Sequence, residues 1–266
     1  MKDVIRKILK PILGKLRFQA MFELLHKFSL VGMNMASDGS IENSGEKNVL
    51  KYIDKKFKSN NDLVLFDVGA NIGSYSGLLK DFFSDQAVIY AFEPSKKTFD
   101  KLESNVINLK NIKIFNYGFG DQDYNSILYS DGNESGFASL YNRRLNHFNI
   151  ELKQKEEVTI KTVDNFCANN GVSHINFLKI DVEGNELKVL QGAKKMIDSG
   201  NIDFIQFEFG GCNIDSRTYF QDFYYLLKDN YKIYRIVKDG LRPIYRYSET
   251  CEIFLNSNYL AERILN

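Results

Sequence analysis

The chain has 266 residues, 44% hydrophobic and 26% charged, the proportions of a globular protein able to bury a sizeable core. A formal charge of +1 supplies no field that would gather nucleic acid or a strongly acidic partner. No apolar run reaches the ~18 residues that a bilayer-spanning helix needs. Cys167, Cys212 and Cys251 stand far apart with no C-x-x-C pair, which argues against a disulfide framework or a structural zinc and for a reducing, cytoplasmic setting.

Residues 2–31 read as an appendage. Val4, Ile5, Ile8, Leu9, Ile12, Leu13 and Leu16 recur at helical spacing, with Lys2, Arg6, Lys7, Lys10, Lys15 and Arg17 interleaved and Pro11 kinking or dividing the helix. Such a helix suits its own domain, a second subunit or an anionic membrane surface. Residues 37–48, SDGSIENSGEKN, are polar and glycine-punctuated and predict a loop. Ser44 and Glu46 then cap and charge the start of a helix carrying Val49, Leu50, Ile53 and Phe57. The expected division is an appendage and loop over 1–48 and one domain over 49–266.

From residue 63 the pattern alternates: strand 63–68, helix 74–84, strand 87–92, helix 96–108, strand 111–116. This predicts a parallel sheet with right-handed crossovers. Ser95 is the expected N-cap of the second helix, whose Phe99, Leu102, Val106 and Leu109 should face the sheet. Residues 121–163 break the rhythm with short strands and turn-rich SDGNESG, as a β-insertion with a loop over the site would. The core resumes with strand 177–181, a helix carrying Leu187, Leu190, Ala193 and Ile197 that ends near Gly200, strand 202–208 and a helix around 216–229. Two strand-like runs in the tail, joined through Asp239-Gly240 and Pro243, predict a closing hairpin.

The strand LVLFDV breaks into Gly69, Asn71 and Gly73 just before a helical pattern, and such a turn brings bare backbone N–H groups up to a ligand. Glu93 ends the next strand 20 residues beyond Gly73, the offset at which nucleotide-binding folds place an acid on a ribose. In GANIGS, Asn71 and Ser74 occupy the second and third glycine positions of G-x-G-x-x-G, so a pyrophosphate cradle is poorly matched. A nucleoside-containing small molecule at the carboxyl edge of the sheet is the reading the residues support. Asp67, Glu93, Asp181 and Glu208 all end core strands, and Lys179 shares a strand face with Asp181, so it needs Asp181 or Glu208 as a partner.

DVGANIG, AFEPS, GFGD at 118–121, KTVDNF at 161–166, LKIDVEGNE and LKVLQGA resemble, in order, the FkbM-type family of S-adenosylmethionine (SAM)-dependent methyltransferases. The resemblance runs from about residue 63 to 209, and SGE at 44–46 is similar to a segment ahead of the core in many members. It implies a class I methyltransferase fold: a Rossmann-like three-layer α/β sandwich, mostly parallel, with a reversed C-terminal strand and a β-insertion. It also implies O-methylation of a hydroxyl on a sugar, nucleotide sugar, glycan or related small molecule.

On that resemblance the SAM contacts fall on Asp67, Gly69, Ala70, Asn71, Gly73, Glu93, Pro94, Ser95, Gly118, Asp121 and Asp181. Glu93 takes the ribose, the glycine turn and Asn71 the methionine part, and Gly118 to Asp121 the adenine. Asp181 is the expected base or metal ligand, helped by Glu183 or Glu208, with His147 in the insertion as a further candidate base. A divalent metal stays open, because carboxylates at two strand ends suit Mg²⁺. His174 is read as structural and His26 as a packing or surface residue. The rival readings are a non-catalytic glycan-binding or scaffold protein that keeps the fold, and a nicotinamide-dependent oxidoreductase.

Overall fold

A computed structural model describes residues 10–35, 41–58, 62–132 and 136–265. In chain order the strands are β1 (Leu63–Val68), β2 (Ala87–Phe92), β3 (Ile112–Phe115), β4 (Gly118–Phe119), β5 (Tyr124–Ser130), β6 (Gln154–Lys161), β7 (Ile175–Ile180), β8 (Ile202–Phe209), β9 (Tyr231–Val237), β10 (Gly240–Pro243) and β11 (Ser257–Arg263). Eight of them form one sheet in the order β10-β9-β11-β8-β7-β1-β2-β3. Strands β3, β2, β1, β7 and β8 pair in parallel, and β11 runs antiparallel to both β8 and β9.

Alternation along the central strands builds three layers. Phe66, Tyr90, Phe92, Leu178 and Ile180 point to one core, with Phe166, Leu187 and Leu190. Leu65, Ile89 and Phe177 point to the other, with Val49, Leu50 and Ile53 from helix Glu46–Phe57 and with Leu79. Central parallel strands are covered on both faces, which is why they read as near-continuous apolar runs. The strand order reverses at β1, which has β2 on one side and β7 on the other. A crevice therefore opens beyond the carboxyl ends of β1 and β7, where α/β sheets place ligands. Strands β4, β6 and β5 form a separate three-stranded sheet, the expected β-insertion.

Several expectations shift. Within the expected loop at 37–48, residues Ile41–Ser44 are helical and the next helix already starts at Glu46. Buried Met35, Ser44 and Glu46 carry the packed body back before residue 49. Of the expected N-terminal helix, residues 2–9 lie outside the described residues; beyond Pro11 the chain turns, and the helix spans Gln19–Gly32. Helix Lys96–Val106 stops short, leaving Leu109 on the surface rather than facing the sheet.

The single helix expected to end near Gly200 is two, Glu186–Gln191 and Lys194–Asp198. The break falls at Gly192, where a Cβ would lie 2.0 Å from the Gly120 carbonyl oxygen, so close backbone approach fixes the interruption. Helix Val163–Asn170 is an addition to the expected elements; Thr162 caps it by accepting from Asn165 N–H at 3.1 Å. The expected hairpin exists as β9 and β10, but at the sheet edge. The reversed strand is β11, threaded between β8 and β9.

Phe66 packs its ring 5.2 Å from those of Tyr90 and Phe92 and 5.4 Å from that of Phe166. Phe66→Ala should cost about 3–5 kcal/mol, the usual range for emptying an aromatic core site. Urea denaturation measures it, and a loss under about 1 kcal/mol would contradict this packing.

Candidate functional site

The turn after β1 is held by Gly69 and Ala70 N–H groups donating to the Phe92 carbonyl at 3.0 and 2.9 Å. Gly69 has φ +81, and a Cβ there would lie 1.8 Å from the Asp181 carbonyl oxygen. Only glycine permits both that backbone and the near-contact between the ends of β1 and β7. Glu93, at the end of β2, accepts from Asn71 N–H at 3.0 Å and Ser95 N–H at 2.9 Å, one on each oxygen. Burial pushes its carboxyl up to about 7 although both N–H groups favour the charged form. Glu93 thus arrives already aimed, with acceptor capacity left for two further donors. Ser95 caps helix Lys96–Val106 as expected and also donates to Glu156 of β6 at 2.8 Å.

Register sets the next part. Asp67 of β1 lies beside Lys179 of β7, which lies beside Gln206 of β8, a polar row across three buried strands. Lys179 Nζ is 3.5 Å from Asp67, 3.3 Å from Asp181 and 4.6 Å from the Tyr75 ring centre. Burial works to lower the Lys179 pKa, but the carboxylates of Asp181, Asp67 and Glu46 outweigh it and the net shift is upward. Asp67 also accepts from Ser76 Oγ at 2.6 Å. Gln206 donates to Glu46 at 2.7 Å and accepts from the Tyr75 hydroxyl at 3.1 Å, while Ser44 donates to Glu46 at 2.8 Å. Glu46 therefore does more than charge a helix start: it lies in the cavity wall, its carboxyl raised by burial.

The loop after β7 is shaped from within. Buried Glu186 reaches back to accept from Val182 N–H at 3.1 Å and from Gly184 N–H at 3.0 Å. This supports positive φ at Glu183 (+54) and Gly184 (+110) and turns Glu183 into the crevice. The insertion fastens on the same loop. Ser139 donates to the Glu183 carbonyl at 2.6 Å, Tyr141 to Asn185 at 3.3 Å, and Arg143 pairs with the Glu183 carboxylate. Burial and the Asp181 charge raise Glu183 to about 8, with Arg143 pulling against them. Burial and the same acidic neighbours hold Glu208 well above the usual carboxylate range, and its Oε2 has no hydrogen-bond partner among the described residues.

These parts enclose one cavity of about 480 Å³, within the size range of small-molecule sites. Gly69, Ala70, Asn71, Glu93, Pro94, Gly118, Asp181, Glu183 and Glu208 line it. Asp67 does not: it lies fully buried beneath the floor, tied to Ser76 and Lys179. Gly73, Ser95 and Asp121 are also outside the lining, and His147 is exposed on a short turn against Phe148. His174 stays at the amino edge on Asp203. Glu46, Tyr75, Asn185 and Asn256 line the cavity in addition to the expected site residues. The S-G-E triplet is the available signal for Glu46, and nothing in the sequence marks Asn256.

Glu183, Glu208 and Cys212 place one ligand atom each within 4.8 Å of one another, the one such group among the described residues. Arg143 already pairs with Glu183, and the buried Cys212 thiol is a soft donor that a hard, oxygen-seeking cation does not favour. The donor set suits an ion pair better than a divalent cation.

The sequence pattern of the methyltransferase FkbM domain matches residues 67–234. The hexuronic acid methyltransferase AglP of Haloferax volcanii is 30% identical over 169 residues, covering 62% of this chain and 64% of that one. The 2-O-methyltransferase NoeI of Sinorhizobium fredii is 21% identical over 145 residues, covering 51% and 59%. The chain thus spans about three-fifths of the length of these relatives. The crystal structure of a methyltransferase FkbM from Methylobacillus flagellatus overlaps 76% of this chain and 43% of that one, at 15% identity and TM-score 0.46. With the glycine turn, the acid after β2 and the loop after β7 all inside the matched stretch, the chain belongs to the FkbM methyltransferase family.

Proposed function

We propose that this protein is an O-methyltransferase that uses SAM to methylate a hydroxyl of a sugar, nucleotide sugar, glycan or related small molecule. The observation that carries the reading is Glu93, a buried carboxylate held by two backbone N–H groups and facing the same cavity as Asp181, Glu183 and Glu208. The glycine turn, Glu93 and the wall of Pro94, Thr98, Gly118, Phe119 and Ile160 fit an adenosyl group: a diol acceptor beside a mostly apolar slot. The relatives named for hexuronic acid and 2-O-methylation favour a carbohydrate acceptor.

SAM supplies an electrophilic methyl on a sulfonium. This chain's residues must align an acceptor oxygen and accept its proton. Asp181 suits the second role, because its side chain is 39% exposed beside the cavity and Lys179 steadies it from below at 3.3 Å. Glu208, whose Oε2 on the neighbouring strand has no partner among the described residues, can accept a hydrogen bond from a second hydroxyl of the acceptor and orient the substrate. Arg143 and Ser139 keep Glu183 and its loop in place, so the insertion works as the roof of the acceptor end.

Asp181→Asn should lower turnover by about 100-fold or more while SAM affinity stays within about threefold. The readout is S-adenosylhomocysteine release with a panel of glycosides and nucleotide sugars. Near-normal turnover would remove Asp181 as the proton acceptor.

Glu93 gives a pH signature. Below about 7 its carboxyl carries a proton, and the charged form is the better acceptor of two ribose hydroxyls. Affinity for S-adenosylhomocysteine should therefore weaken as pH falls through about 7 and strengthen above it. Glu183 and Glu186 titrate nearby, so Glu93→Gln is the control: it should bind at least about tenfold more weakly and lose most of the pH dependence. Calorimetry measures both, and unaltered affinity in Glu93→Ala would refute the ribose assignment.

A further inference from the structure

Helix Gln19–Gly32 contains no buried residue. Met21, Leu24, Leu25, Phe28 and Val31 follow one another at spacings of three, one, three and three, and so form a single stripe. Their exposures are 42, 68, 53, 75 and 73%. Gln19, Glu23, His26 and Lys27 lie off the stripe, as do the half-buried Phe22 and Leu30. A contiguous apolar stripe of this kind on a folded protein marks a surface that something covers.

The chain's own domain does not cover it. Among the described residues, the side-chain hydrogen bonds that tie it to the body lie beyond its end, where Met35 is buried against Ser257 and Asn34 donates to the Ser44 carbonyl at 3.3 Å. A second copy is a poor occupant on size. Fourteen residues make a rod about 21 Å long, and five side chains a side fall well short of the roughly 20 residues that a stable interface commits.

Charge points to the occupant. Residues 1–32 hold seven Lys or Arg and two Asp or Glu, a balance of +5 in a chain of net charge +1, which leaves the rest at −4. Lys10, Lys15 and Arg17 are exposed immediately ahead of the stripe, and Arg17 packs over the Phe18 ring at 4.7 Å. Among the described residues no helix is long and apolar enough to cross a membrane. Apolar stripe, basic flank and short length together describe a helix that lies in the plane of an anionic lipid surface.

We infer that residues 10–32 adsorb the protein to membranes rich in anionic lipid, with Met21, Leu24, Leu25, Phe28 and Val31 in the acyl boundary and Lys10, Lys15 and Arg17 on the headgroups. The attachment at Asn34 and Met35 adjoins Ser44, whose hydroxyl donates to Glu46 of the cavity wall, so adsorption holds the cavity close to the lipid.

The test is flotation of the full chain with vesicles of phosphatidylcholine alone and of phosphatidylcholine with phosphatidylglycerol. Wild type should float with the anionic vesicles, at least about tenfold more weakly with the neutral ones, and less as salt is raised. Leu24→Glu with Phe28→Glu should abolish flotation while leaving S-adenosylhomocysteine affinity and the melting temperature unchanged, because both side chains are exposed. Protein that stays in the aqueous fraction, or a double variant that floats as well as wild type, overturns the inference. So does a dimer in light scattering that the double variant converts to monomer without any vesicle binding, which would assign the stripe to a second copy.

Discussion

The arrangement depends on one buried ammonium. Lys179 sits on a central strand where an isolated charge would be prohibitive, and it is tolerated because Asp67 and Asp181 face it from β1 and from the end of its own strand. The pairing fixes more than charge. It locks the ends of β1 and β7 in register, the same place where Gly69 lets the two backbones nearly touch. Gln206 extends the row to β8 and passes the connection to Glu46, so a helix ahead of the first strand is wired into the site. One lysine thus stands among three acids, Asp67, Asp181 and Glu46.

The loop from Asp181 to Glu186 carries the second constraint. Its sequence looks like a run of acids, yet the acids have separate duties. Asp181 answers Lys179, Glu183 meets Arg143 from the insertion, and Glu186 never reaches the cavity wall but ties down the loop's own N–H groups. A fully buried Glu186 carboxyl raised to about 7 is the cost of that internal brace. The insertion then has a fixed surface to close on, through Ser139, Tyr141 and Arg143.

Much of this is legible from residue patterns because the central strands obey local rules. Apolar runs ending in Asp67, Glu93, Asp181 and Glu208 locate the sheet and its carboxyl edge, and the glycine turn locates the crevice. Where sequence reading fails, non-local geometry decides. Asp67 sits at a ligand-facing strand end, yet neighbouring Ser76 and Lys179 claim it from below. Gly192 divides a helix because Gly120 passes there, more than 70 residues earlier in the chain. His147 stands out as a titratable group in a polar loop, but the fold turns that loop's end outward. Strand β11, SNYLAER, has polar ends and carries little alternation to betray it.

The placement of β11 has an outcome for the order of assembly. Strands β8 and β9 are not neighbours; each pairs with a segment that the ribosome delivers later than both. Until residue 263 has emerged, two sheet edges stay open, with Phe207 and Ile233 awaiting Tyr259 and Ala261. Nascent chains held at that stage present sticky borders of the kind that mispair or recruit chaperones. Threading β11 between β8 and β9 thus leaves the pairing of both strands waiting on a segment made after them.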